Sequence, residues 1–339
     1  MLRVTAAFSR LRTMIKRTLL WILALLAVLG VAVALAFLLT PWPSVALIQF
    51  AFARGDRAAM DALEKHVPPE VVTRGDLAYG AGPDERFDLH LPRGAAGPLR
   101  AIVWVHGGGW VAGSKDGVAN YLKVLAGHGY AVVGIEYARG FGVAYPQPVE
   151  QVNRALGYIV EHAAELGIDA GPLVLAGDSA GAQIAAQLAL MIGDPGYAAQ
   201  VGIAPAIPRA RLAAVLLLSG AFDIGQMDPD SWFANTVGWA YSGRRDFRND
   251  ARFQLVSVAN HVTAAFPPAF ISSGNGDPLA PQAVALAAKL EGLGVAVDSL
   301  FFPADYAPSL PHEYQFNLDG EAGQAALTRL LAFVDRARP

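Results

Sequence analysis

The stretch that decides the fold is "LVLAGDSAGAQIAAQLAL", residues 173–190. It opens as a short apolar run and, past Ser179, continues in small and apolar residues suited to a helix. Between the two stands Gly177-Asp178-Ser179-Ala180-Gly181. A strand feeding a helix through G-x-S-x-G predicts a nucleophile elbow. The turn at the serine is so sharp that positions two residues to either side must be nearly free of side chain, a need that Gly177 and Gly181 meet. It lifts the Ser179 hydroxyl above the sheet and sets it at a helix N-terminus, where backbone N–H groups face developing negative charge. The motif alone is weak in a chain with 35 glycines, and an ordinary glycine-rich turn with an incidental serine is the plain alternative. The strand before it and the helix after it favour the elbow.

About seventy residues upstream lies "VHGGGWVAG", residues 105–113, with three consecutive glycines at the end of an apolar run. Glycine is costly to order, so bare backbone must be needed there. Acyl transfer places negative charge on the former carbonyl oxygen, and fixed N–H donors stabilise it best. A Cβ would block their approach. Gly107, Gly108 and Gly109 are therefore expected to form an oxyanion hole with the amide of Ala180, and Trp110 to buttress the loop. A flexible or phosphate-cradling loop is the alternative for the glycines taken alone. A dinucleotide site is disfavoured, because the third glycine of G-x-G-x-x-G is missing at the right spacing.

Short β-branched apolar runs recur outward from the elbow: "LRAIVWVH" (99–106), "YAVVGIEY" (130–137), "LAAVLLLSG" (212–220) and "AFISSG" (269–274). They suit strands buried on both faces of a parallel sheet. "RFDLHLP" (86–92) alternates like a half-exposed strand. Helical stretches separate them at about 117–128, 148–166, 180–193, 281–293 and at the end of the chain. This succession predicts an α/β fold with right-handed crossovers. Residues from about 225 to 262, with Trp232, Phe233, Trp239 and Tyr241, fit no strand–helix unit. They are read as an insertion over one end of the sheet whose aromatics, with Trp110, could touch substrate.

The base should be a histidine that follows the acid, in the chain order Ser, Asp/Glu, His. Of seven histidines, only His312, in "SLPHEYQF", lies after the last expected strand. His106 is expected to pack or hydrogen-bond under the glycine loop. Three aspartates compete for the acid. Asp305 sits in a Pro-flanked loop and reads as a solvated turn residue. Asp223 leads into the insertion, where a helix cap or loop hydrogen bond explains it. Asp277, in "GNGDPL", has glycines for a tight turn before it and Pro278 stiffening the chain behind it. Asp277 is the expected acid.

"HGGGW" followed by "GDSAGA" resembles the hormone-sensitive-lipase-like carboxylesterases of the α/β-hydrolase superfamily, over roughly residues 70–337. The resemblance implies an eight-stranded, mostly parallel sheet with helices on both faces, a serine nucleophile and a lid; "DPL" matches that family's acid motif. One segment departs: where the family commonly reads like "YRLAPE", this chain has "EYARGFGVAYPQP", Glu136 to Pro148.

Composition adds a membrane expectation. Charged residues are only 16% and hydrophobic residues 54%. No charge occurs from Thr18 to Ala53, and Leu19 to Leu39 is about 21 residues, enough to cross a bilayer as a helix. Trp21 and Trp42 lie near its ends, where amphipathic rings favour the interface. A signal peptide cut near Ala34–Ala36 is the alternative, but the run is longer than the usual apolar region of one. Arg3, Arg10, Arg12, Lys16 and Arg17 precede it, with no acid, so the N-terminus is expected in the cytoplasm and the bulk of the chain outside. The expected organisation is a basic tail (1–17), a transmembrane helix (18–40), an amphipathic helical linker or cap (41–69) and the α/β-hydrolase domain (70–339). The net charge of -3 gives no basic footprint for nucleic acid. The chain has no cysteine, which removes disulfides and thiolate chemistry, and no metal-ligand motif or cofactor is implied. The expected partners are a small-molecule or lipid ester and the membrane. An acyltransferase or peptidase on the same side chains, and a non-catalytic adhesion or docking module on an esterase scaffold, are the rival functions.

Overall fold

The computed structural model describes residues 2–337, with side chains from residue 12 onward. Arg3 and Arg10 of the basic tail thus lie outside the described side chains. Helix α1 runs Leu2–Leu39. Its stretch Arg12–Leu39 is apolar enough to cross a membrane, and none of its most apolar window is buried. Pro41 interrupts the helix, and α2 follows at Trp42–Leu63. The inward face of α2 carries Ser44, Val45, Ile48 and Leu63, all buried.

Eight strands form one sheet: β1 (Val71–Ala78), β2 (Arg86–Pro92), β3 (Ala101–Val105), β4 (Ala131–Ile135), β5 (Leu173–Asp178), β6 (Leu212–Leu218), β7 (Ala269–Ser273) and β8 (Val297–Phe301). Their order is β1-β2-β4-β3-β5-β6-β7-β8. β1 pairs antiparallel with β2, and β2 with β4; the other pairings are parallel. The expected mostly parallel α/β sheet is what forms. Strand β1 was not anticipated from the sequence. It is an edge strand, half exposed, with no continuous apolar run to mark it.

The central strands are apolar throughout because both their faces are covered. On β3, Val103 and Val105 enter one core layer while Ile102 and Trp104 enter the other. On β5, Leu175 and Val174 divide in the same way. Helices α3 (Lys115–Gly127) and α10 (Glu321–Arg336) cover one face. Helices α4 (Gln147–Glu161), α6 (Ser179–Gly193) and α9 (Ala280–Gly292) cover the other. Between them lie the short helices α5 (Ala163–Leu166) and α7 (Pro195–Val201). Helix α6 is buried from Ala180 to Ile192, which explains its apolar composition on every side. The insertion between β6 and β7 folds as α8 (Trp232–Ser242) and short 3-10 turns.

Candidate active site

The elbow is built as its glycines require. Ser179 has φ 50°, in the left-handed region, at the junction of β5 and α6. A Cβ on Gly177 would run into the backbone of Gly181, and one on Gly181 into the carbonyls of Val105 and His106. Five non-glycine residues among those described have φ in the left-handed region, and Trp110, Ser179, Ser219 and Glu313 are four of them. Of these, Trp110 follows the glycine loop, and the Ser219 hydroxyl accepts the N–H of Glu313, the neighbour of His312, at 3.2 Å. Strain of this kind, about 1–3 kcal/mol for each residue, persists only where its surroundings enforce it.

His312 Nε2 lies 2.9 Å from Ser179 Oγ, and its Nδ1 lies 2.9 Å from Asp277 Oδ2. Asp277 sits just past β7, 4% exposed, and accepts from the Ser273 hydroxyl and the Leu279 amide, each at 2.8 Å. Burial alone would raise its carboxyl, but the His312 contact and these donors outweigh it and hold the pKa below the ordinary value. Burial would likewise lower His312; the hydrogen bond to Asp277 and the carboxyls of Glu313 and Asp178 reverse this, and its pKa is raised. With the proton held on Nδ1 by Asp277, Nε2 is the acceptor that faces the serine hydroxyl. Asp223 and Asp305 are elsewhere engaged: Asp223 accepts from Gly225 N and Gln226 Nε2, both at 2.9 Å, and Asp305 is an exposed turn residue.

The glycine loop requires one correction. The Gly107 N–H donates to Asp178 Oδ2 at 2.7 Å, so it is not free for an oxyanion. The Gly108 and Gly109 N–H groups have no hydrogen bond among the described residues. Ala180 N stands in the first turn of α6, where a helix has no internal acceptor for it. These three amides remain. Positive φ at Gly108 (114°) and Gly109 (60°) turns the loop, and a Cβ on Gly108 would strike the Ala112 carbonyl.

The aromatic expectations divide. Trp110 and Tyr241, read as possible substrate contacts, are 3% and 1% exposed and stack on each other at 5.2 Å behind the loop. Trp110 is the buttress, and its Nε1 donates to the buried Gln183 of α6 at 3.0 Å. Trp239 packs under Arg245 at 5.1 Å. Phe233 is beside the loop: a Cβ on Gly109 would meet its ring edge at 3.1 Å. Trp232, next to it, is 54% exposed. His106 packs as expected, stacked on Tyr137 at 4.3 Å with Nδ1 at 2.7 Å from the Gly107 carbonyl.

Sequence reasoning missed a pair of acids. Asp178, 2% exposed, accepts from Trp104 Nε1 at 2.6 Å and from Gly107 N. Glu313 hydrogen-bonds to it, and its carboxyl lies 3.7 Å from His312 Nε2. Burial raises both carboxyls, and the proton of the pair belongs on Glu313, because N–H donors already engage both oxygens of Asp178; Glu313 is pushed up to about 8. One signal was available: a charge at the end of an otherwise apolar strand must have buried partners. The site opens into a cavity of about 540 Å³, whose outer wall is α2 from Ala51 to Ala62 and which reaches Gly107, Gly108 and His312. Asp56 projects into it from α2, its carboxyl raised by burial against the pull of His106. Among the described residues no group of three His, Asp or Glu side chains could hold a metal ion.

A family model described as BD-FAE matches residues 87–290. An esterase of Gibberella moniliformis is 30% identical over 207 residues, 58% of this chain and 63% of its own length. Carboxylesterase NlhH of Mycobacterium tuberculosis is 29% identical over 301 residues, 86% of this chain and 92% of its own. Among solved structures, esterase B from Lactobacillus Rhamnosis aligns with a TM-score of 0.73 at 21% identity, over 86% of this chain and 94% of that one, a likeness of fold. The chain therefore spans under two thirds of the first of these relatives and nearly all of the other two. The curated relatives are named esterases, and the chain belongs to the BD-FAE family.

Proposed function

We propose that this chain is a membrane-anchored serine carboxylesterase that cleaves uncharged esters through an acyl-enzyme on Ser179. The observation that carries this reading is the unbroken hydrogen-bond chain Ser179–His312–Asp277 beside unpartnered backbone amides. His312 Nε2 takes the hydroxyl proton as Ser179 Oγ attacks the ester carbonyl, and Asp277 stabilises the imidazolium so formed. The negative charge on the carbonyl oxygen is met by the amides of Gly108, Gly109 and Ala180. The tetrahedral species collapses, the C–O bond to the alcohol breaks, and the leaving oxygen receives the proton from His312. Water then repeats the sequence on the acyl-enzyme, with His312 as base, releasing the acid and Ser179.

The carboxyls of Asp56, Asp178 and Glu313 at the cavity disfavour an anion at the scissile bond, which supports an uncharged ester. The anchor is α1, with the N-terminus in the cytoplasm and residues from about 44 onward outside. A phosphonate that mimics the tetrahedral species tests the covalent step. It should modify Ser179 one-to-one in the full chain in detergent, read by mass spectrometry, and p-nitrophenyl ester hydrolysis should fall with it. Ser179→Ala should keep its melting temperature, take no label and lose on the order of 10⁶ in kcat. A variant that kept a tenth of the activity would end the reading.

A further inference from the structure

Large apolar side chains that no other element covers collect around the first half of α2. Leu47 and Phe50 are 55% and 65% exposed, on the face opposite Val45 and Ile48. Phe141 is 82% exposed in the loop after β4, with its ring 5.1 Å from Trp42. On the other flank, Trp232 opens α8, and Phe233 stacks on Phe52 of α2 at 6.1 Å. Single exposed apolar residues are ordinary; several gathered about one helix form a patch that calls for a cover.

Three observations indicate the cover. Only Thr40 and Pro41 separate α2 from α1, whose apolar run from Leu19 to Leu39 is about 30 Å long as a helix, the thickness of a bilayer core. The patch thus begins where that run ends. A cation sits over one of its aromatics, Arg54 over Phe50 at 5.6 Å, and a second, Arg245, lies over Trp239 of α8 at 5.1 Å. Arg245 also donates to the Leu38 carbonyl at 3.1 Å, tying the insertion to the end of α1. Aromatic rings with Arg beside them match the headgroup level, where apolar stems and charged heads are both satisfied. Finally, α2 walls the cavity, and the Phe52–Phe233 pair stands between the patch and Gly109.

We infer that α2 is an interfacial helix whose outer face, with Phe141 and the start of α8, rests in the leaflet from which α1 emerges, and that the substrate is an uncharged long-chain ester drawn from that leaflet past Phe52 and Phe233 to Ser179. This rests on the membrane-anchored serine esterase reading above. An amphipathic surface of this kind buries its apolar face at the headgroup–acyl boundary. An ester dissolved in the leaflet then reaches the cavity without its chain crossing water.

The test uses the full chain in phosphatidylcholine vesicles, with 4-methylumbelliferyl oleate in the bilayer and p-nitrophenyl acetate in the water. Leu47→Asp/Phe50→Asp/Phe141→Asp should lower the oleate rate tenfold or more and leave the acetate rate within twofold. Equal rates on oleate, or an equal fall on both substrates with the melting temperature kept, overturns the docking surface. A second readout does not depend on that variant: shallow brominated phosphatidylcholine should quench the wild-type tryptophan fluorescence more than that of Trp232→Phe. No difference between the two places Trp232 outside the lipid, as a protein cover over the patch would, and also overturns the proposal. The parent reading fails separately. Wild-type chain that a high-pH wash strips from floated vesicles refutes the anchor, and Ser179→Ala that hydrolyses acetate refutes the nucleophile.

Discussion

At the scale of single residues, the site depends on which carboxyl does what. Asp277 is locked by the Ser273 hydroxyl and the Leu279 amide and touches His312 Nδ1, whereas Asp223 spends its oxygens on Gly225 and Gln226. Asp277→Asn should therefore lower kcat by roughly 10⁴, as an imidazole held in the wrong tautomer would, while Asp223→Asn changes it much less. The reverse order of the two variants would make Asp223 the acid. The pH profile follows from the two raised groups. His312 acts as a base only when neutral, and its pKa is raised above the ordinary value of about 6.5, so kcat/KM should fall as pH drops through a midpoint above 6.5. On the alkaline side the Asp178–Glu313 pair loses its shared proton at about pH 8. A second negative charge then appears beside the amides that must meet the oxyanion, so activity should decline again above that pH. Glu313→Gln keeps the hydrogen bond to Asp178 without the ionisation, and should flatten the alkaline limb while moving the acid limb to lower pH, because the Glu313 carboxyl no longer helps to raise His312. A wild-type profile that stays level to pH 10 would remove Glu313 from this role.

At the scale of elements, the glycine loop and α2 show where sequence sufficed and where it did not. Gly108 is forced: its φ of 114° suits no side chain, and its Cβ position is occupied by the Ala112 carbonyl. Gly108→Ala should thus displace an amide aimed at the oxyanion rather than at the ground-state carbonyl, lowering kcat on the order of 10² with KM little changed. Steady-state kinetics checks this, and a variant defective only in KM would deny the loop its role. That Ser179, His312 and Asp277 come together could be read from the sequence because strand ends in an α/β sheet all lead to one edge, so motif and chain order fix which side chains can meet. Pairwise contacts were not readable in that way. Asp178 fills a variable position of G-x-S-x-G, and only the fold reveals that it takes the Gly107 amide, which the proposed oxyanion hole then lacks. Trp110 and Tyr241 looked like substrate contacts because an aromatic near a site can face either the pocket or the core; here Gln183, buried on α6, draws Trp110 inward. Helix α2 was legible as an amphipathic linker or cap, but its pattern did not say which residues it would bring to the cavity.

At the scale of the whole molecule, the open quantity is the orientation of the catalytic domain across the membrane. Two features of the chain bear on it. Arg12, Lys16 and Arg17 stand immediately before the apolar run, with Arg3 and Arg10 further back, whereas the first charges after it are Arg54 and Asp56. Inserted the other way, this helix would have to carry its cluster of cations across the bilayer, at about 2.5–3.5 kcal/mol for each Arg or Lys at the centre of the core. The cations beyond the run offer no comparable penalty, since Arg54 already lies over Phe50 on α2 and can stay at the headgroup level of either leaflet. Cytoplasmic retention of the tail is therefore the cheaper arrangement, and it carries α2, the sheet and Ser179 to the outer side. Protease added to intact spheroplasts should then digest the catalytic domain and leave a small fragment containing α1 and the tail, detected through a tag at the N-terminus. Full protection of the domain until the membrane is permeabilised would reverse the topology. Release of the whole domain into the soluble fraction, its new N-terminus near Ala36, would mean that the apolar run is a cleaved leader and that the interfacial face of α2 has to hold the enzyme at a membrane by itself.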